Sequence, residues 1–415
     1  MSAISFPDLS PDRWPFDYKL LPKPIYLVGG TVRDALLGRK GDFLDLDFVV
    51  PQGAIALARS IADQYKAGFV VLDAERKIAR VVFPEATIDF AEMVGDDLLD
   101  DLQRRDYTMN AIAYNPFTAE LIDPLGGQQD LQAKMIKMVS LHNLAEDPLR
   151  LLRAYRQACQ LNLWISTDTL VGINSLSNLL QQVAPERIRN ELNYLLCHKQ
   201  GMHWLMSAWD DNLITHWFPQ AGKRWKISLD MELAADKLCR VWPALTDELS
   251  IPVSQSLKLP MRAIANLAML TESEPAVAEK QLLSLKYSNA EIKSVLAILN
   301  GLLDIPKFVN RQMKVRDQYF FFQKVGKMFP ALAVVAVAHG IEINHIALLV
   351  DRYLNPDDQV AHPISLITGD ELMTALNLPR GPQIGKLLLE IQLSAVEGKI
   401  GTKTAALDLA KQLIA

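Results

Sequence analysis

The chain changes its hydrophobic rhythm near residue 140. Before that point, short apolar runs alternate with polar positions at a period of two, the spacing of a half-buried strand. Residues 25–28 form one such run and end in Gly29-Gly30, and residues 44–50, 68–72, 79–83 and 87–91 form others. Residues 31–37 read instead as a helix stopped by Gly38. Beyond residue 140, apolar positions recur at helical spacing over 149–161, 185–197, 228–241, 263–270 and 289–303, and no strand is expected from there to residue 350. Residues 354–363 read as a linker, and 369–415 as a small helical unit broken at 378–382. The Pro-rich residues 1–24 read as a surface wrap. The expected fold class is α+β: a mixed-sheet domain followed by an elongated all-helical region.

Composition narrows the class. Half of the 415 residues are hydrophobic and 22% are charged, which fits a soluble chain with a large core. No apolar run reaches about 18 residues, so no membrane span or membrane partner is expected. The N-terminus lacks the basic-then-apolar order of a secretory signal. Cys159, Cys197 and Cys239 are scattered, without a CxxC pair, which argues against disulfides and zinc and for a cytoplasmic location. A net charge of -5 argues against a general nucleic-acid coat but leaves room for a local basic groove. From Lys280 to Lys327, basic residues outnumber Glu291, Asp304 and Asp317, with Phe308 and Tyr319-Phe320-Phe321-Phe322 among them. That excess suits a phosphate-tracking surface, and solvated helix faces over buried aromatics explain it nearly as well.

The candidate chemistry sits on the second strand. Asp45 and Asp47 are two apart, so on a strand they project from the same face. Two such carboxylates repel each other, and a divalent cation relieves this. Mg2+ suits oxygen ligands and keeps positions open for phosphates. An Asp-x-Asp alone is more often a solvated edge, but here Gly29-Gly30-Thr31-Val32-Arg33-Asp34 lies just upstream. Backbone near Gly30 suits an anion, and Arg33 offers a fork for phosphate. Asp89 reads either as a third acidic member or as an ordinary hydrogen-bonded strand residue. Asp147, Arg150, Arg153 and Arg156 recur every three residues, which on one helix keeps them along one side. Asp147 can only accept hydrogen bonds and Arg150 only donate, so the pair reads either as an intrahelical ion pair on a solvated face or as an edge that cytosine or adenine satisfies and uracil or guanine does not.

These motifs together resemble the class II tRNA nucleotidyltransferases, relatives of bacterial poly(A) polymerase in the polymerase-β-like superfamily. The resemblance continues through Arg104-Arg105-Asp106, Asp123-Pro124-Leu125-Gly126-Gly127, Glu146-Asp147-Pro148-Leu149-Arg150 and Glu186-Arg187-Ile188-Arg189. It implies a nucleotidyltransferase head over 1–140, a base-recognising neck over 141–220, a tRNA-binding body over 221–355 and a helical tail over 356–415. It implies catalytic, metal-binding Asp45 and Asp47. It also implies nucleotide contacts from Gly30, Arg33, Arg105, Asp106, Asn110, Asp147, Arg150, Arg153 and Arg156. Asp106 and Asn110, four apart, read as helix-turn neighbours, and Asp123 and Asp130 as turn and cap residues. The expected activity is template-independent addition of C to the 3′ end of tRNA from CTP. In the family, a flexible segment between the Asp-x-Asp strand and the Arg-Arg-Asp motif serves the final A. Here only residues 92–103 intervene, so addition of CC alone stands beside full CCA addition with ATP, with a separate A-adding enzyme as partner in the first case. A poly(A) polymerase and a catalytically silent tRNA-binding protein are the alternatives.

Overall fold

The structure is a computed structural model and describes residues 9–39, 41, 43–252 and 259–414. The first eight residues of the expected surface wrap lie outside the described residues. The chain divides into two compact units, residues 1–184 with 211–213, and residues 185–210 with 214–415.

The first unit is built on β1 (Tyr26–Val28), β2 (Leu44–Val50), β3 (Gly68–Asp73), β4 (Ile78–Phe83), β5 (Ala86–Glu92), β6 (Ala113–Asn115) and β7 (Glu120–Ile122). They form a 7-stranded sheet in the order β3-β4-β5-β2-β1-β6-β7. Within it β2 and β5 run parallel and the other pairs antiparallel. The period of two works as read: on β2, Leu46, Phe48 and Val50 are buried, while Asp45 is exposed and Asp47 half-buried. Phe48 stacks on Phe90 of β5 with ring centroids 5.4 Å apart, and Trp14 of the N-terminal segment meets Phe48 edge-on at 5.1 Å. Each such buried ring contributes about 1.5–3 kcal/mol. Between β1 and β2 lies α1 (Gly30–Leu36), and α2 (Ala54–Tyr65) packs Ala58, Ile61 and Ala62 into the same core. One face of the sheet is thus sealed, and the other carries Asp45 and Asp47 beside a smaller apolar cluster that includes Val49, Leu102 and Ala111.

After the sheet come α3 (Leu98–Gln103), α4 (Gly127–Gln132), α5 (Leu141–Glu146) and α6 (Leu149–Leu161). Asp123 accepts hydrogen bonds from the amides of Gly127 and Gln128, both 2.8 Å, at the start of α4. Asp130 accepts from the Thr108 hydroxyl at 2.6 Å. The expectation of no strand after residue 140 needs correction, because β8 (Met135–Ile136) pairs in parallel with β9 (Trp164–Ile165). Two residues are too few for an alternation to register in the sequence.

The second unit is helical among its described residues. Helices Pro185–Cys197, Met231–Val241, Met261–Leu270 and Asn289–Leu302 fall close to the expected positions. Helix Val315–Val325 buries Tyr319, Phe321 and Phe322, so the aromatics of the basic stretch are largely core, although Phe320 stays 46% exposed. Several of its cations are already neutralised: Lys307 and Lys324 hold Asp304 at 2.9 and 2.8 Å, and Arg316 holds Glu397 at 2.7 Å. The helical run Val315–Ala338 is long and apolar enough to cross a membrane by length and composition, with 67% of the window buried inside the protein. Its second half, Phe329–Ala338, forms the inner wall of the helical core. Residues 369–414 form a terminal helical unit, with Ile367, Leu372, Ile384, Leu387, Ile391, Ala406 and Ala410 as its core. Helix Gly369–Leu376 opens with Thr368 and Glu371 capping each other, and the break ends at Pro382, the first residue of helix Pro382–Val396.

Candidate active site

The polar face of the sheet gathers five side chains by register alone. In the parallel β2–β5 pair Asp45 lies opposite Thr87 and Asp47 opposite Asp89, and in the antiparallel β4–β5 pair Asp89 lies opposite Arg80. The Thr87 hydroxyl donates to Asp45 Oδ1. The Thr31 hydroxyl of α1 donates to the Asp45 carbonyl, tying the helix to the strand. Asp89 accepts a fork from Arg80, Nε to Oδ1 at 2.7 Å and Nη2 to Oδ2 at 2.8 Å. Of the two readings of Asp89, the hydrogen-bonded strand residue is what this geometry supports.

Asp47 is the crowded member. Its burial, then the charges of Asp45 and Asp89, raise its carboxyl from the ordinary 3.8 to about 7, while Arg105 and Arg80 pull the other way. Gly29 makes room for it. This residue has φ 80°, and a Cβ there would lie 3.1 Å from Asp47 Oδ2 and 3.7 Å from Arg105 Nη1. Neighbouring oxygen donors short of positive charge suit a hard cation such as Mg2+. Among the described residues, no group of three or more His, Cys, Asp or Glu is arranged to hold an ion.

The motif Arg104-Arg105-Asp106 is organised by a residue the sequence did not single out. Asp101 of α3, 0% exposed, accepts from Arg104 at 3.0 and 3.1 Å, from Arg105 at 2.9 Å and from the Val94 amide at 3.2 Å. Desolvation pushes the Asp101 carboxyl up, but the charges of Arg105 and Arg104 with these hydrogen bonds outweigh it and leave it below the ordinary range.

Asp106 anchors a second network. It is buried, Oδ1 accepts from Asn110 Nδ2 at 2.8 Å and from the Tyr107 amide at 2.9 Å, and Oδ2 pairs with Arg153 Nη2 at 3.1 Å. Asn110 in turn accepts from Arg33 Nη1 at 2.9 Å and donates to Gln157 at 3.1 Å. Arg33 also holds Asp34 at 2.8 Å. Burial works to raise the Asp106 carboxyl, and Arg153, Asn110 and the Tyr107 amide together bring it below its ordinary value. The helix-turn reading of Asp106 and Asn110 is corrected: Asn110 ends the short 3-10 turn Thr108–Asn110, and Asp106 precedes it in a bend. The two still meet because the side chains bridge directly.

The base-recognition residues are arranged differently from expectation. Arg150, Arg153 and Arg156 lie on α6, but Asp147 precedes the helix with φ -129° and ψ 91°. Pro148 follows it, and a residue before proline is pushed out of the helical region. The Arg150 amide still donates to the Asp147 carbonyl at 2.9 Å, so the two are joined through a turn. Arg150 Nη1 donates to the carbonyls of Arg104 and Asn143, both 2.9 Å, which fixes the plane of its guanidinium. Arg156 reaches Gln160 at 2.8 Å. Sequence reasoning missed Arg80, Thr87, Asp101 and Gln157. Strand alternation carried the signal for the first two, and Gln157 lies one helical turn beyond Arg153.

Between β5 and α3 the connection is short and pinned. The Val94 amide donates to Asp101, the Asp96 amide to Asp100 at 2.8 Å, and the Asp100 amide to Asp97 at 3.0 Å. Gly95 has φ 93°, and a Cβ there would lie 2.3 Å from the Asp100 Cβ. The carboxylates of Asp97, Asp100 and Asp101 are spent on closing it.

Residues 25–137 match the family model of the poly(A) polymerase head domain. Residues 162–223 match a polymerase A model named for RNA and SrmB binding, and 256–410 a model of tRNA nucleotidyltransferase domain 2. A CC-adding tRNA nucleotidyltransferase of Synechocystis sp. is 46% identical over 404 residues, covering 96% of each chain. One from Geobacter sulfurreducens is 31% identical, over 92% of this chain and 90% of its own. The solved structure of a CCA-adding enzyme with ATP superposes with a TM-score of 0.70 at 21% identity, over 94% of this chain and 92% of that one, which establishes a shared fold. On these matches the chain belongs to the tRNA nucleotidyltransferase family.

Proposed function

We propose that this chain adds two C residues to the 3′ end of tRNA from CTP, without a nucleic-acid template, and stops there. The observation that carries the reading is the pair Asp45 and Asp47 on one strand face beside the Gly29 turn, with no long segment between β5 and α3. In the reaction the 3′ hydroxyl oxygen attacks the α-phosphate of CTP, a P–O bond forms, and pyrophosphate leaves. Asp45 and Asp47 would hold Mg2+, which when bound would favour the ionised hydroxyl and offset charge on the leaving group. Arg33 and the backbone near Gly30 receive the triphosphate, with Arg105, Arg153 and Arg156 at its border. Asp106 and Asn110 hold Arg33 and Arg153 in place. Asp147 accepts from the cytosine amino group and Arg150 donates to N3. A mismatched base leaves these groups unpaired, at about 1–3 kcal/mol each.

Stopping at CC is supported by the pinned turn over residues 93–97 and by the two relatives described above as CC-adding. A separate A-adding enzyme then completes the tRNA, in the cytoplasm where its precursors are. The division of labour over 1–140, 141–220, 221–355 and 356–415 belongs to the same reading. The test is nucleotide addition to three tRNAs, ending before CCA, after C and after CC, each with CTP or ATP. C enters the first two and ATP is refused by the third. Efficient A addition to the CC-ending tRNA would falsify the stop at CC, and addition of A alone to all three would favour a poly(A) polymerase.

A further inference from the structure

Arg224 lies far along the chain from every residue assigned above. It ends the short turn Ala221–Arg224 in the second unit and is partly buried. Its Nη1 donates to the Ser273 hydroxyl at 3.3 Å, while its Nη2 is buried with no hydrogen-bond partner. A guanidinium is costly to desolvate and is normally satisfied by a carboxylate or several carbonyls. Burial pulls Arg224 below its ordinary value, and the charge of Glu272 opposes this. Glu272 therefore acts on Arg224 through charge, and its own amide donates to the Gln281 side chain at 2.8 Å.

The Arg224 side chain lines a cavity of about 490 Å3 together with Gln220, Lys223, Glu272 and Ser273. Gln220, Lys223, Arg224 and Ser273 all bring donors, and Glu272 is the single anion against two cations. The turn that presents them is held firmly. Trp209 donates to the Phe218 carbonyl at 2.8 Å, meets Trp225 edge-on at 6.0 Å, and lies so close to Gly222 that a Cβ there would approach it to 2.3 Å. A rigid cradle of donors with unspent positive charge is the chemistry that receives a phosphate oxyanion.

We infer that the cavity of Lys223, Arg224 and Ser273 in the second unit is a phosphate site that grips one backbone phosphate of the RNA acceptor, distinct from the nucleotide-transfer residues of the first unit. This rests on the reading that tRNA is the acceptor. A phosphate group is shared by RNA and by free inorganic phosphate, so the test separates the two. Binding of the full chain to tRNA is measured between about 50 and 200 mM salt for wild type, Arg224→Gln and Glu272→Gln. Thermal unfolding is followed for each with and without inorganic phosphate.

Arg224→Gln should weaken tRNA binding about threefold to tenfold and lower the salt slope by about one. Glu272→Gln should tighten binding, because it removes the repelling carboxylate. If Glu272→Gln weakens binding, the carboxylate is a structural partner of Arg224 and the inference falls. It falls equally if Arg224→Gln leaves affinity and slope unchanged. Protection of wild type but not Arg224→Gln by inorganic phosphate, with tRNA binding unmoved, would reassign the site to the free anion and overturn the RNA assignment. Should wild type itself neither bind tRNA nor add C, the proposed function fails rather than this site alone.

Discussion

Asp47 and Asp89 stand opposite each other in the parallel β2–β5 register, and Asp89 has committed both carboxylate oxygens to Arg80, at 2.7 and 2.8 Å. Asp89 therefore acts on Asp47 through charge. It raises the Asp47 carboxyl, and Arg80 lowers it. The two neighbours predict opposite displacements. Asp89→Asn removes an anion and leaves Arg80 unopposed, so in the absence of Mg2+ the titration of the Asp47 carboxyl, followed by NMR, should move to lower pH. Arg80→Gln should move it to higher pH. Movement of both variants in the same direction would place the controlling group elsewhere.

The raised Asp47 carboxyl also fixes how folding responds to pH. With a folded value of about 7 against an ordinary 3.8, the folded chain binds the proton more tightly than the unfolded chain. The ionised side chain thus costs nothing below 3.8, costs progressively more as pH rises to about 7, and costs its full amount above that. The cost is at most a few kcal/mol, since each tenfold change in proton affinity corresponds to about 1.4 kcal/mol. Asp47→Asn should melt higher than wild type at pH 8, and the difference should shrink toward pH 4. Mg2+ should raise the melting temperature of wild type at pH 8 and leave Asp47→Asn nearly unmoved. Equal melting temperatures across the pH range would contradict the assigned crowding.

Asp106 holds Arg153 directly and Arg33 through Asn110, so its loss should be felt at both ends of the network. Asp106→Ala strands Arg153 and the Asn110 amide. A destabilisation of about 3 kcal/mol follows for a buried partner lost, less to the extent that water reaches Arg153. Because the Asp106 carboxyl sits below its ordinary value, its stabilisation is present above 3.8 and fades as pH falls further. A double-mutant cycle with Arg153→Ala should show coupling of about 0.5–3 kcal/mol. Additive effects would mean that the ion pair carries no weight in solution.

The sequence made much of this legible, and its omissions have physical causes. β2 is legible at its true bounds because Asp45, Leu46, Asp47 and Phe48 alternate between the polar face and the core. α6 was likewise read at its true bounds from its apolar stripe. β6 and β7, at three residues each, exist because β1 and β6 pair, which is a tertiary fact that no local window contains. Asp147 was placed on a helix by its three-residue spacing, although Pro148 beside it already carried the steric signal against that. Arg80 and Asp101 escaped because a residue that acts by neutralising another looks, in one dimension, like any surface charge.

Arg150 gives the sharpest test of base selection. Its Nη1 is spent on the carbonyls of Arg104 and Asn143, so the plane of the guanidinium is fixed before any nucleotide arrives. Asn143, itself buried, donates to the carbonyls of Gln103 and Arg105 at 2.7 and 2.8 Å and so holds those carbonyls still. A lysine keeps the charge but cannot fill both carbonyls and also present a planar donor edge. Arg150→Lys should therefore lower the ratio of kcat/KM for CTP over UTP by about tenfold or more, the equivalent of about 1–3 kcal/mol for a mispaired polar group. Asn143→Ala, which leaves Arg150 in place but frees the backbone around it, should lower the same ratio by a smaller factor. If either variant slows CTP and UTP equally, with the ratio intact, Arg150 serves only to brace α6 against the Arg104 segment, and cytosine is chosen by other groups.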